Sequence, residues 1–192
     1  ASQLDFDIDE KTKKSIQENS DRLDILSPER ISDEINKILL TDSPSTGFKN
    51  LENLNLLKSI IPELIDLKGI EEVEGQTHKD NFYHTLEVVD NISKNTDNLW
   101  LRWAALLHDI GKAPTKKFDK KIGWTFHGHE YVGSKMVKKI FKRLSLPLNE
   151  ILKYVQKIVM MSSRPIIISD DIVTDSAVRR LIYDAGDSIE DL

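Results

Sequence analysis

Apolar residues recur at intervals of three and four along nearly the whole chain, and strand-like sequence is confined to short β-branched runs such as Ile166-Ile167-Ile168 after Pro165. This periodicity restricts the chain to an all-α fold. Ser27-Pro28-Glu29 starts a helix, with Ser27 as N-cap, Pro28 at the first helical position, and Ile31, Ile35, Ile38 and Leu39 on one face. That helix is expected to end near Thr41. Pro44 reopens helical sequence through Phe48, Leu51, Leu54 and Leu57, and a short element from Ile60 to Leu67 carries Pro62 in its first turn, so the two pieces form a helical hairpin. Further helices are expected near 80–95, 98–110, 128–144, 148–162 and 175–185, the last begun by Thr174 and closed by Gly186. The most polar connection, Lys68 to Lys79, contains Gly69, Gly75 and a run of glutamates. It divides the chain into a helical module, 1–70, and a histidine-bearing domain, 71–192.

A chain of 192 residues that is 39% hydrophobic and 31% charged can bury a sizeable core. No apolar stretch approaches the roughly 20 residues of a membrane helix, and Ala1-Ser2-Gln3-Leu4-Asp5 lacks the basic and apolar regions of a signal peptide. A cytoplasmic protein with no membrane partner is therefore expected. Cysteine is absent, which excludes disulfides and thiolate metal sites together. Any metal must be held by His, Asp, Glu and water.

All five histidines lie between His78 and His129. His84 falls close to the apolar face of its helix, and the next helix delivers His108 and Asp109 at its C-terminal end, before Gly111 breaks it. Two helices can thus bring three ligands to one divalent ion. His127 and His129 are placed to close a second ion or to contact a substrate phosphate. With only nitrogen and oxygen ligands, such a centre would activate water for attack on phosphorus. Asp109 would bridge two ions or orient that water, and Lys112 would neutralise a phosphate oxygen.

Net charge is −5, yet Lys112 to Arg143 carries ten Lys or Arg against only Asp119 and Glu130. A basic segment beside a metal site suits a phosphate-rich ligand, although the face from Lys135 to Arg143 also fits a plain solvated helix. Lys116, Lys117, Arg164, Arg179 and Arg180 are the other cations available for phosphate or RNA. The alternative for the arginines is surface ion pairing. Trp100, Trp103 and Trp124 are read as packing residues, and His78 as surface or outer-shell.

His84 followed by His108-Asp109 resembles the HD phosphohydrolase domain. The wider text resembles the bacterial CCA-adding tRNA nucleotidyltransferases in Ala1-Ser2-Gln3-Leu4-Asp5-Phe6, Pro28-Glu29-Arg30-Ile31, Ile61-Pro62-Glu63, His78-Lys79-Asp80, Leu106 to Lys112, Phe126-His127-Gly128-His129-Glu130, and Ser176 to Ile182. The resemblance implies a helical bundle of the HD type after a neck and body module. It also implies a divalent metal (Mg, Mn, Ni, Co or Zn), tRNA as partner in the full-length protein, and a phosphoester substrate such as a cyclic phosphate at a damaged RNA end. A homodimer is a further expectation. The Gly-Ser signature, magnesium carboxylate pair and Asp/Arg base-reading motif of the polymerising site do not occur here, so the chain is expected to be a fragment that does not add nucleotides by itself. Family members often carry a histidine where this sequence reads Met160-Met161-Ser162-Ser163-Arg164-Pro165. Their last HD aspartate is either Asp175, Asp184 or a residue beyond Leu192. Two rival readings remain: a free-standing HD phosphohydrolase acting on small nucleotides, and a non-catalytic RNA-binding or dimerisation module.

Overall fold

The computed structural model describes residues 3–4, 6–169 and 173–192. Ala1, Ser2 and Asp5, quoted above in the opening stretch, lie outside the described residues. The N-terminal helices are α1 Glu10–Glu18, α2 Pro28–Leu39, α3 Pro44–Asn53, α4 Leu57–Ile60 and α5 Pro62–Ile65, with a 3-10 segment Ser20–Ile25 between α1 and α2. After a hairpin of β1 Glu72–Val73 and β2 Gln76–Thr77 come α6 Asn81–Ser93, α7 Leu99–Leu107 and α8 Lys112–Thr115. A second hairpin, β3 Lys117–Asp119 and β4 Gly123–Thr125, leads to α9 His129–Arg143, α10 Glu150–Met161, α11 Arg164–Ile168 and α12 Asp175–Ala185, and the chain closes on a 3-10 segment Gly186–Asp191. The fold is all-α. Among the described residues no helix is long and apolar enough to cross a membrane.

The helices expected from periodicity are all present, and local details differ for physical reasons. Ser27 and Thr174 occupy N-cap positions without a side-chain capping bond. The bonds are made instead by Asp9, Asp80, Asn98 and Asn149, whose side chains accept from the first-turn amides of α1, α6, α7 and α10. The expected element from Ile60 to Leu67 is the single turn α5, because Pro62 cannot donate to the ladder of α4, which ends at Ile60, and instead opens a new turn. Ile166-Ile167-Ile168 is helical: Pro165 sits in the first turn of α11, where its missing N–H costs nothing. The hairpins carried no usable alternation in two or three residues. Glu74 and Gly75, at φ 53° and 77°, make the tight turn of the first.

One apolar cluster runs through both halves, from Ile35, Leu39, Phe48 and Leu64 to Phe82, Trp103, Phe141 and Val159. Polar groups tie the halves at its edge. Trp103 Nε1–H donates to Asn36 Oδ1 at 2.8 Å, and the Ser45 amide donates to Asp90 Oδ1 at 2.9 Å. Arg102, the one charged residue of α7 and only 1% exposed, reaches four backbone carbonyls. Its guanidinium donates to Leu39 and Thr41 at the end of α2, to Ser93 at the end of α6, and to Thr96 in the loop that follows, at 2.6 to 3.0 Å. A planar five-donor fork is matched to this task, and the orphan carbonyls of two helix ends are satisfied at once.

Candidate metal centre

The packing of α6 against α7 brings His84 beside His108, with ring centroids 5.9 Å apart. One ligand atom from each of His84, His108 and Asp109 lies within 4.8 Å of the others. Asp109 is 2% exposed, just past the end of α7. Burial alone would raise its pKa. The hydrogen bond and charge of His108, with the charge of Lys112, outweigh burial and hold the carboxyl well below its ordinary range.

The histidine tautomers follow from their partners. His108 Nδ1 lies 2.7 Å from the Ala105 carbonyl oxygen, which can only accept, so Nδ1 carries the proton and donates. His129 Nδ1 donates in the same way to the Phe126 carbonyl at 2.9 Å. Both Nε2 atoms are thereby turned toward one carboxylate: His108 Nε2 is 3.2 Å from Asp109 Oδ2, and His129 Nε2 is 3.6 Å from Asp109 Oδ1. In a neutral imidazole that nitrogen is a bare acceptor, and a carboxylate oxygen is another. Lys112 Nζ already answers Asp109 Oδ2 at 2.7 Å, and a proton or a metal ion between the facing acceptors would complete the compensation. This donor set fits a divalent metal, with backbone carbonyls fixing the rings as outer-shell partners do. His84 is suited to the same task, since burial first, and then His108 and Lys112, lower its pKa against the opposing pull of Asp109 and keep the imidazole neutral.

The backbone fixes the spacing of the two halves. Gly111 does not break α7, which ends at Leu107, and the backbone at Gly111 is helical, at φ −73°. It is needed for close approach: a Cβ there would lie 2.0 Å from the His129 carbonyl oxygen and 2.7 Å from the Gly133 nitrogen. The turn holding Asp109 therefore rests directly on the first turn of α9.

The remaining expected residues are distributed as follows. Lys112 Nζ donates to Asp109 Oδ2 at 2.7 Å, so in this structure it neutralises the carboxylate. His127 is exposed, set off from His129 by the left-handed Gly128 at φ 73°. Lys116 pairs with Glu71 and lies over the Trp124 ring, while Lys117 is exposed on β3. Arg164 pairs with Asp184 at 2.6 Å, and Arg179 and Arg180 are exposed on α12. Neither Asp175 nor Asp184 belongs to the His84, His108 and Asp109 group. His78 is half-buried, donating from Nδ1 to Lys79 and packing edge-on against Trp124 and Phe126.

Sequence reasoning gave no role to Glu130 and Ser163. Ser163 Oγ donates to Glu130 Oε1, and Glu130 Oε2 lies 3.4 Å from His129 Nδ1. Burial raises the Glu130 pKa, and the Ser163 hydrogen bond leads the effects that lower it on balance. The adjacency of Glu130 to His129 was the available signal. Nothing in the sequence pointed to Ser163.

Comparison with known proteins accords with this geometry. Residues 81–189 match the HD domain model, and residues 5–67 match the model described as the probable RNA and SrmB-binding site of polymerase A. The chain belongs to the HD domain family. The HD domain therefore contains each of His84, His108, Asp109 and His129. The chain is similar to the A-adding tRNA nucleotidyltransferase of Deinococcus radiodurans, at 34% identity over 152 residues, which cover 75% of this chain and 35% of that protein. It is also similar to the multifunctional CCA proteins of Shewanella frigidimarina, at 38% over 131 residues, and Pseudomonas fluorescens, at 34% over 131 residues; each alignment covers 67% of this chain and 31% of the relative. The chain thus spans about a third of the length of the curated relatives it matches.

Proposed function

We propose that this chain is the HD-bearing part of a CCA-adding tRNA nucleotidyltransferase, contributing tRNA binding and a metal-dependent phosphohydrolase site. The division at residue 70 is part of the proposal: the first module holds RNA and 71–192 does the hydrolysis. It is supported by the two family matches, which stop on either side of 68–80. The observation that carries the hydrolytic reading is the pair of Nε2 atoms aimed at the two oxygens of one buried carboxylate, with His84 alongside.

His84, His108 and Asp109 would hold the divalent ion, whether Mg, Mn, Ni, Co or Zn, and His129 would stand at the second carboxylate oxygen. A bound divalent ion supplies Lewis-acid polarisation of a phosphoryl oxygen and acidifies water. The chain's own residues orient the reaction. Ala105 and Phe126 carbonyls fix the two rings, Asp109 stays ionised, and Lys112 is within reach of phosphate once it leaves the carboxylate. His127, Lys116, Lys117, Arg164, Arg179 and Arg180 belong to the wider polyanion surface of this reading.

A second reading is favoured by one observation. Asp184 is engaged with Arg164 and Asp175 opens α12, so neither supplies the last aspartate that the family pattern implies. In that reading the module binds RNA and does not turn over. Hydrolysis of a 2′,3′-cyclic nucleotide, with nickel, cobalt, manganese or magnesium supplied in turn beside Asp109→Ala, separates the two. Metal-dependent turnover that disappears in the variant is expected. No turnover with any metal would leave the binding reading in place.

A further inference from the structure

We propose that the solvent face of α9, in the HD half of the chain and outside the segment matched by the RNA-binding model, is a docking track for the phosphate backbone of RNA. The helix buries Gly133, Ser134, Val137, Ile140 and Phe141 on one side. Lys135, Lys138, Lys139 and Lys142 are exposed on the other, at the i, i+3, i+4 and i+7 positions that share a face. At 1.5 Å per residue they span about 10 Å of helix.

Several lysines on α1, α2 and α10 are neutralised within their own helix, while Lys11, Lys49 and Lys58 are exposed singly on α1, α3 and α4. Lys13 pairs with Glu10, Lys14 with Glu18, Lys37 with Glu34 and Lys153 with Glu150, each three or four residues apart. Among the described residues, none of the four α9 lysines makes an ion pair. Like charges at these spacings repel and weaken a helix. Their concentration on one face, in a chain of net charge −5, opposes both the overall sign and the local pattern. Such a face concentrates a polyanion.

Charge and composition select the occupant. Tyr131 is the only exposed large hydrophobic residue of α9, at 56%, so the face lacks the apolar flank that a membrane-surface helix uses and the apolar centre of a protein interface. Lysine ammoniums are hydrated point charges suited to phosphates, and they carry no base-reading geometry. Tyr131 lies one turn before Lys135, whose Nζ is 5.2 Å from its ring centroid, and gives a base a stacking surface at the N-terminal end of the track. That end of the same helix carries His129, beside Asp109. The track binds RNA without sequence preference and without help from the metal centre, so it stands independently of hydrolysis.

The test is fluorescence anisotropy of the full chain with an unmodified tRNA transcript over a salt series. The variant Lys135→Gln/Lys138→Gln/Lys139→Gln/Lys142→Gln changes only exposed side chains, and its helical circular dichroism should match the parent. It should bind tRNA at least about tenfold more weakly at low salt, with the slope of log affinity against log salt reduced by about three. The matching Lys→Arg quadruple variant should bind as the parent does. Hydrolysis of a small cyclic nucleotide should be the same in all three proteins, so a failure of turnover leaves this proposal untouched. Unchanged tRNA affinity and slope in the Gln variant would overturn it. So would loss of binding in the Arg variant, or lysine-dependent binding to phosphatidylserine vesicles with tRNA binding unaffected.

Discussion

Two buried charges in this protein, Arg102 and Asp109, sit on the same stretch of chain and are satisfied in opposite ways. Arg102 is held chiefly by the carbonyls of Leu39, Thr41, Ser93 and Thr96, main-chain groups that neither titrate nor leave, and its one side-chain partner, Asp97 at 3.1 Å, is fully exposed. Asp109 is held by Lys112, His108 and His129, all side chains that can lose a proton, swing away or accept another cation. A buried charge answered by backbone is architecture. One answered by exchangeable side chains is a site, because its compensation can be replaced by a ligand.

The comparison is broken most severely at Arg102. Arg102→Ala leaves several buried carbonyls without donors and should cost at least about 3 kcal/mol of unfolding free energy in urea. A loss below about 1 kcal/mol would show that these carbonyls find water instead. Asp109→Asn should do the reverse: its stability stays within about 2 kcal/mol of the parent, while manganese affinity measured by calorimetry falls more than about 100-fold, beyond the usual cost of losing an outer-shell partner. Equal metal affinity in that variant would remove Asp109 from the centre.

Gly111→Ala tests whether the two halves of the site are set by backbone contact. The added Cβ must displace the first turn of α9 and should cost about 1–3 kcal/mol. It should also weaken manganese binding, because His129 moves from Asp109; full affinity with reduced stability would show that His129 is not a ligand. The smallest effect is in pH. The pKa of His84 is lowered from 6.5 and that of Asp109 from 3.8, so in both cases the unfolded chain binds more protons on acidification. Stability is fully present above pH 6.5 and falls below it, first through His84 and then, near pH 4 and below, through Asp109. Arg102 takes no part in this loss, so the deficit of Arg102→Ala should be the same at pH 7 and pH 5.5. A stability profile flat from pH 7 to pH 5 would contradict the assignment to His84.

The legible parts of the sequence were those written in long periodic segments. α6, α7, α9, α10 and α12 fall within a few residues of their expected bounds because each carries two or more turns of apolar repeat. His84, His108 and Asp109 were legible as a group because two neighbouring helices had to carry them. The two hairpins were not, since two or three residues cannot display a period of two. Gly111 was legible as a special residue and misread as a helix stop; its reason lies 18 residues away, at His129. Lys112 was assigned to phosphate because sequence could not show that a buried carboxylate three residues earlier would claim it. Arg102, alone among the apolar residues of α7, was a readable signal that went unused.

The seat of Gly111 against His129 and Gly133 also bears on how such a protein can change over generations. The interval between the Asp109 turn and α9 is set by main chain on both sides, so it does not depend on which side chains happen to project into it. Replacing the side chain of His129, Glu130 or Lys112 leaves that main-chain contact in place. A later substitution can refill the same positions without rebuilding the fold. On this view Gly111 is the fixed point around which chemistry drifts, and the side chains it brings together are the replaceable part.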